Sequence, residues 1–297
     1  MSERILVVEE PGLLTTVQDL GRPGFAHLGV PRSGALDAPA LMLANRLVGN
    51  AERDAGLEVT ATGCRFRLPH AGAVAVTGAR CSIRVDGRAV GWGVLAPVPA
   101  GTVVEIGPAD DGLRAYVAVA GGIRVPAVLG SRSADLLSGL GPAPLRGGDV
   151  LPLGVPAAPP ATGEAVPGAR RTELRVLPGP HQDWFTTEAV ALLDGSSYDV
   201  LPASNRIGLR LSGPVLARAE PGRELPSEPM VLGSVQVPPN GQPVVFLHDH
   251  PTTGGYPVIG VVLGADLAVC AQARPGERLT LRRVSRPARS PGRSRDR

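Results

Sequence analysis

Residues 72–90 read GAVAVTGARCSIRVDGRAV. Ala73–Thr77 and Ser82–Val85 are short runs of the small and β-branched side chains that suit a pleated surface, and Arg88–Val90 resumes the pattern. Asp86-Gly87 separates the last two runs. Asp-Gly is the pair that a two-residue type I′ turn demands, because both central positions need positive φ. This stretch predicts antiparallel hairpins.

Further strands are expected on both sides, at Ile5–Val8, Leu57–Ala61, Val103–Ile106 and Ala115–Ala120. Their spacing is that of a sandwich or barrel. Composition agrees. Of 297 residues 43% are hydrophobic, mean hydropathy is +0.10, and 39 Gly with 31 Pro punctuate the chain without a collagen period. One helix is signalled at 38–48. Asp37 is its cap, Leu36 and Leu41 form a hydrophobic staple, Leu41, Ala44 and Leu47 with Val48 line the inner face, and Gly49 stops it.

The segment 151–170, LPLGVPAAPPATGEAVPGAR, holds five prolines and reads as a linker. It divides a first lobe, 1–150, from a second, 171–284. In the second, strands are expected at Leu174–Leu177, Gly208–Leu211, Val231–Val237 and Pro243–Leu247, with a short helix near 187–193 and Asn240-Gly241 as a hairpin turn. Gly56-Leu57-Glu58-Val59 and Gly208-Leu209-Arg210-Leu211 echo each other weakly, as related lobes would.

The net charge of +3 comes from the end of the chain. Residues 285–297 carry five Arg against Asp296, and the body without them has a net charge of −1. This segment reads as a disordered tail, and no aromatic interleaves its arginines as a nucleic-acid platform requires. The chain contains no lysine; all thirty basic residues are Arg. That excludes a Walker-type phosphate loop, lysine Schiff-base chemistry and lysine-linked biotin in this chain. Cys64, Cys81 and Cys270 have neither even number nor CxxC spacing, so buried free thiols are expected. The opening MSERILVVEE lacks a signal pattern, and no apolar run approaches the ~18–20 residues of a membrane span. The expectation is a cytoplasmic protein with no membrane or nucleic-acid partner.

Three segments carry more polar residues than turns need. In the first, 11–37, Gln18, Asp19 and Arg22 offer a donor, an acceptor and a cation, or else a loop in which Asp19 pairs with Arg22; Asp37 is equally a helix cap. In the second, Ser204-Asn205-Arg206, the Arg is suited to a bidentate carboxylate or phosphate contact, or the segment is a surface turn. The third runs from His248 to Pro257 (HDHPTTGGYP). There Thr252-Thr253-Gly254-Gly255 suggest an anion nest, Asp249 a base or orienter, and His248 with His250 a metal pair that lacks a third ligand. No GxSxG, HExxH or GxGxxG signature is present.

Together these segments resemble the C-subunit family of prokaryotic 5-oxoprolinase, also described as Kip-type or allophanate hydrolase subunit two, within the biotin-dependent carboxyltransferase group. The resemblance lies in PGLLTTVQDLGRPG at 11–24, GVPRSGALDAPALMLANRLVGN at 29–50 and VAGGIRVPAVLGSRS at 119–133. It continues in LRVLPGPHQDWF at 174–185, SNRIGLRLSGP at 204–214, SVQVPPNGQPVV at 234–245 and TTGGYP at 252–257. It implies a mainly β fold, two cyclophilin-like β-barrel lobes with a few short helices, and partner subunits B and A. It also implies ATP-dependent hydrolysis of 5-oxo-L-proline to L-glutamate by the assembly, with ATP consumed there, no cofactor held by this chain, and this chain inactive alone. The family pattern marks Asp249, Arg206, Asp19 and Arg22 as catalytic candidates. It marks Gln18, Ser33, Asp37, Ser204, Asn205, Gln236, Thr252, Thr253, Gly254, Gly255 and Tyr256 as substrate-binding candidates, and no metal ligand. His250 and Pro251 depart from the Arg and Gln that relatives more often carry. Two further functions fit the same resemblance: a biotin-dependent carboxyltransferase subunit, and a non-enzymatic module that antagonises a kinase-inhibiting partner.

Overall fold

The structure, a computed structural model, describes residues 4–161, 163, 165 and 168–285. The Arg-rich tail from 286 onward lies outside the described residues. The chain is mainly β, as expected. Its first nine strands are β1 Ile5–Glu10, β2 Leu14–Gln18, β3 Gly56–Thr60, β4 Cys64–Leu68, β5 Gly72–Val85, β6 Arg88–Ala89, β7 Ala96–Val98, β8 Thr102–Val119 and β9 Val150–Pro152. They form one sheet with the central order β2-β3-β8-β4-β1-β9, and β5 joins β8 to β6 and β7.

The Asp86-Gly87 turn forms as expected, with φ of 53° and 72°, and joins β5 to β6 through the Val85–Arg88 pair. The sequence breaks the surrounding runs more often than the structure does. Ala73–Thr77 and Ser82–Val85 belong to one strand, β5, and the runs beginning at Val103 and Ala115 belong to one strand, β8. Register shifts between Gly78 and Ile83 absorb the polar interruption, since bulges let two long strands bend without parting.

Helix α1, Ala38–Leu47, packs Ala44, Leu47 and Val48 against Ala75, Ala118 and Ala120 of the sheet. The Asp37 carboxylate accepts from the Ala40 N–H, and Pro39 in the first turn needs no donor there. The segment expected as a linker starts within the sheet: Val150–Pro152 is β9, and both Ala157 and Ala158 N–H groups reach the Gly49 carbonyl.

The second lobe has β10 Glu173–Pro178, α2 Thr187–Ala191, β11 Ser197–Val200, β12 Gly208–Ser212, β13 Glu228–Pro229, β14 Ser234–Gln236, β15 Val244–Phe246, β16 Thr253–Gly254, β17 Val258–Val262, α3 Leu267–Gln272 and β18 Arg278–Arg283. Seven of these strands close a barrel in the order β10-β17-β14-β15-β12-β11-β18, with β10 and β18 parallel at the seam. Strands β13 and β16 form a separate two-stranded ribbon.

Asn240-Gly241 is not the tight hairpin expected. Only Gly241 has positive φ, and its N–H bonds to the Pro238 carbonyl. Pro238, Pro239 and Pro243 cannot donate to a ladder, so pairing between β14 and β15 stops early and a longer loop results.

Each lobe has its own apolar core, and Leu36 crosses between them. It leaves the first lobe just before α1 and is buried in the core of the second, beside residues such as Leu209 and Leu267. Burial of one leucine there contributes roughly 1.5–3 kcal/mol. The segment Arg32–Asp37 is therefore held from both sides.

Candidate functional site between the lobes

A buried charge cluster lies under that segment. Arg206, on the turn before β12, has a side chain only 1% exposed. Its Nε and Nη2 donate to the two Asp249 oxygens at 2.9 and 3.0 Å, Nη1 donates to Glu58 on β3, and Nη2 also reaches the Gly34 carbonyl at 2.7 Å. Glu58 additionally accepts from the Leu36 N–H and the Tyr116 hydroxyl, and Arg114 Nε stands 3.7 Å away. Two guanidinium and two carboxylate groups thus balance inside the protein. Burial pushes the Glu58 carboxyl up, but Arg206 and Arg114 outweigh it and hold the group below its usual range. Burial likewise opposes the charge on Arg206, and Glu58 and Asp249 overcome it and raise its pKa.

Asp249 is saturated. Oδ1 accepts from Ser33 Oγ and Arg206 Nη2, and Oδ2 from Arg206 Nε and the Leu136 N–H. The single Ser33 hydroxyl hydrogen is shared between Asp249 and the Ala134 carbonyl, 2.7 Å from Oγ, and Gln18 Nε2 also donates to that carbonyl at 3.0 Å. Gln18, Ser33, Arg206 and Asp249, scattered in the sequence, therefore meet around residues 134–136.

Asp19 and Arg22 serve the neighbouring loop and do not pair with each other. Asp19 accepts from the Ser131 and Ser133 hydroxyls and from the N–H groups of Gly21 and Arg132. Arg22 donates to the carbonyls of Val128 and Ser133, and its Nη1 has no partner. Asp37 both caps α1 and accepts from Gln272 of α3 at 2.9 Å.

Other candidates lie apart. Ser204 and Asn205 bond to backbone groups of residues 207–210 and shape the turn that carries Arg206. Gln236 reaches the Tyr256 carbonyl, and Tyr256 itself is exposed with Arg218 over its ring. The nest expected over Thr252–Gly255 does not form. Gly254 and Gly255 lack positive φ, because Thr253–Gly254 is the extended strand β16 paired with β13.

Directly beside the cluster is an open cleft of about 460 Å³, lined by Arg32, Leu36, Leu232, His248, Leu267 and their neighbours from both lobes. His248 is buried and its Nδ1 has no protein partner. Burial, with Arg206 and Arg32 nearby, pushes its pKa down to about 3, so the ring is neutral at physiological pH. Among the described residues, the Arg32 side chain has neither a carboxylate within ion-pair distance nor a hydrogen bond, while partial burial lowers its pKa. One unmatched cation, one neutral imidazole and apolar walls suit a small anionic molecule. His250 does not join His248; it stacks on Phe246 and its Nδ1 meets the Pro251 carbonyl. Among the described residues no group of three or more potential ligands is placed to hold a metal.

The family model for "carboxyltransferase domain, subdomain A and B" matches residues 28–283. The chain belongs to this carboxyltransferase-domain family. It is 40% identical to the 5-oxoprolinase C subunit of Escherichia coli over 92% of this chain and 89% of that protein, and 33% identical to that of Haemophilus influenzae. Urea amidolyase of Saccharomyces cerevisiae is 33% identical over 90% of this chain, which spans only 16% of that protein. Among solved structures, TTHA0988 superposes with a TM-score of 0.84 at 39% identity, and this chain spans 55% of it. The Kluyveromyces lactis urea carboxylase gives a TM-score of 0.86 at 29% identity, with 27% of that chain spanned.

Within this family fold, Arg32, Glu58 and Arg114 were not among the candidates from the sequence, and His248 entered there only as half of a metal pair with His250. Arg32 stands in the GVPRSG motif, next to the selected Ser33. Glu58 had a legible signal as a lone carboxylate in an apolar strand, GLEVT, every residue of which is buried.

Proposed function

We propose that this chain is the C subunit of an ATP-dependent 5-oxoprolinase, acting with partner subunits A and B in the cytoplasm, and that the interlobe cleft receives 5-oxo-L-proline. The observation that carries this reading is the unmatched Arg32 guanidinium facing the same cleft as neutral His248. The substrate is a compact lactam with one carboxylate. Arg32 would hold the carboxylate by a charge-assisted contact, the leucines would cover the ring methylenes, and His248 would meet a lactam polar atom.

Resonance makes the lactam carbonyl a poor electrophile. Transfer of the terminal ATP phosphoryl to the amide oxygen breaks the P–O bond to ADP and makes the ring carbon attackable. One water then adds to that carbon and the ring C–N bond breaks with the nitrogen taking a proton, which leaves a γ-glutamyl phosphate. A second water cleaves this acyl phosphate, giving glutamate and phosphate beside the ADP already formed. Arg206 and Asp249 act in this reading as positioning residues. Their polar atoms are committed to each other, to Glu58 and to Ser33, and they fix the backbone that carries His248. Asp19 and Arg22 hold the 128–133 loop in the same supporting sense.

The test is glutamate release from 5-oxoproline and ATP by the assembly reconstituted with its genomic neighbours. Arg32→Gln should raise KM about tenfold or more without lowering the melting temperature, the loss of one charge-assisted contact. No glutamate from the complete assembly, or an unchanged kcat/KM in Arg32→Gln, refutes the reading. The urea amidolyase relatives support a second reading, a carboxyltransferase subunit receiving carboxyl from biotin on a partner, since this chain has no lysine to carry it. Avidin-sensitive activity distinguishes the two.

A further inference from the structure

We propose that the depression of about 540 Å³ on the first lobe, where Arg53, Arg124 and Arg132 converge, is a binding site for a phosphate group. It shares no lining residue with the interlobe cleft. The three guanidinium groups come from separate parts of the chain: the turn after α1, the segment after β8, and the loop that Asp19 organises.

Their charges are unequally matched. Arg124 is oriented by Asp54 at 2.9 Å, which leaves its second terminal nitrogen uncommitted. Gly154 allows this placement, since a Cβ there would lie 2.5 Å from Arg124 Nε. Among the described residues, Arg53 and Arg132 have no carboxylate within ion-pair distance, and Arg132 Nε is buried without a partner. Asp19 also borders the depression, but two hydroxyls and two N–H groups already occupy its oxygens, including the Arg132 N–H at 2.6 Å. It sets the course of the chain at Arg132 and forms no ion pair with the guanidinium groups, and its charge together with that of Asp54 leaves the three arginines of the depression one positive charge in excess. Planar guanidinium forks pair bidentately with tetrahedral oxyanions, and phosphate is the common one with enough charge to engage several.

The rim is built rather than loose. Val128 and Ser131 pair across a two-residue turn, Leu129-Gly130, with φ of 51° and 79°. A leucine in that region is strained, and strain of this kind concentrates at ligand sites. The turn is held on both arms by Arg22, through the carbonyls of Val128 and Ser133.

The phosphate can be free orthophosphate or the terminal group of a nucleotide. Isothermal titration of the full chain with orthophosphate, and separately with ATP, tests the site independently of any activity. Arg132→Gln and Arg53→Gln should each weaken binding about tenfold or more, while Arg32→Gln in the cleft leaves it unchanged. Orthophosphate binding alone assigns the free ion, and ATP binding with the same arginine dependence assigns the nucleotide phosphate. Arg53 is exposed, so its replacement keeps the test valid if Arg132→Gln misfolds. Absence of binding by both ligands, or binding indifferent to both substitutions, overturns the proposal.

Discussion

Gln272 pairs with Arg114 as if its side-chain amide were a neighbouring strand: Oε1 accepts the Arg114 N–H and Nε2 donates to the Arg114 carbonyl, each at 3.0 Å. The same amide also accepts from the Leu113 N–H and donates to Asp37. It does so at the register shift between β5 and β8, against Gly78 and Gly112, whose missing side chains leave it room. A residue of the second lobe thus completes the ladder of the first.

Gln272→Leu should therefore destabilise the protein by about 1–3 kcal/mol, since several bonds of about 1 kcal/mol each are lost from a partly exposed site. Gly78→Ala should cost a comparable amount, because its φ is 76° and a Cβ would lie 2.5 Å from the Arg114 carbonyl. Urea unfolding measures both.

Removing Arg206 leaves two buried carboxylates facing each other's charge. Arg206→Ala should lower stability by about 3–5 kcal/mol, the usual cost of breaking a buried pair from one side. Glu58→Gln should cost less, because a neutral amide can still accept from Arg206. Thermal melts rank them, and an Arg206→Ala protein as stable as the wild type contradicts the network.

His248 predicts an acid-sensitive fold. Its folded pKa of about 3 lies below the unfolded value of 6.5, so the unfolded chain binds a proton that the native chain does not. Stability is then full above about pH 6.5 and falls by up to ~1.4 kcal/mol per pH unit below it. His250, also lowered, first by burial, adds in the same direction. Comparing unfolding at pH 7.5 and 5.5 for the wild type and His248→Asn checks this: the variant should lose less.

The thiols should be silent. Burial raises Cys64 and Cys270 to about 12 and Cys81 to about 11, and all three are buried and unpaired. Native protein at pH 8 should react negligibly with an aromatic disulfide reagent, and denatured protein should release three equivalents.

Much of the local structure was legible. The α1 boundaries, the Asp37 cap and the Asp86-Gly87 turn follow from interactions within a few residues. Strands β2, β4, β7, β9, β11, β13, β16, β17 and β18 and helix α3 escaped, as did the union of the runs within β5 and β8. Gly78-Ala79-Arg80 reads as a break, and only the partner strand and Gln272 make it a bulge. Of the candidate residues, Gln18, Ser33, Arg206 and Asp249 do assemble, yet the open cleft beside them belongs to Arg32 and His248.

The sequence alone determined the mainly β class, the family motifs, the absence of lysine chemistry and the capped helix. These depend on composition or on short-range geometry. Only the tertiary structure decided that Arg206 turns inward to Glu58, 148 residues away, while Arg32 is left without a counter-charge. A guanidinium looks the same in either sequence context. Whether it becomes a buried strut or an open ligand contact depends on which carboxylates the packing of two lobes brings within reach.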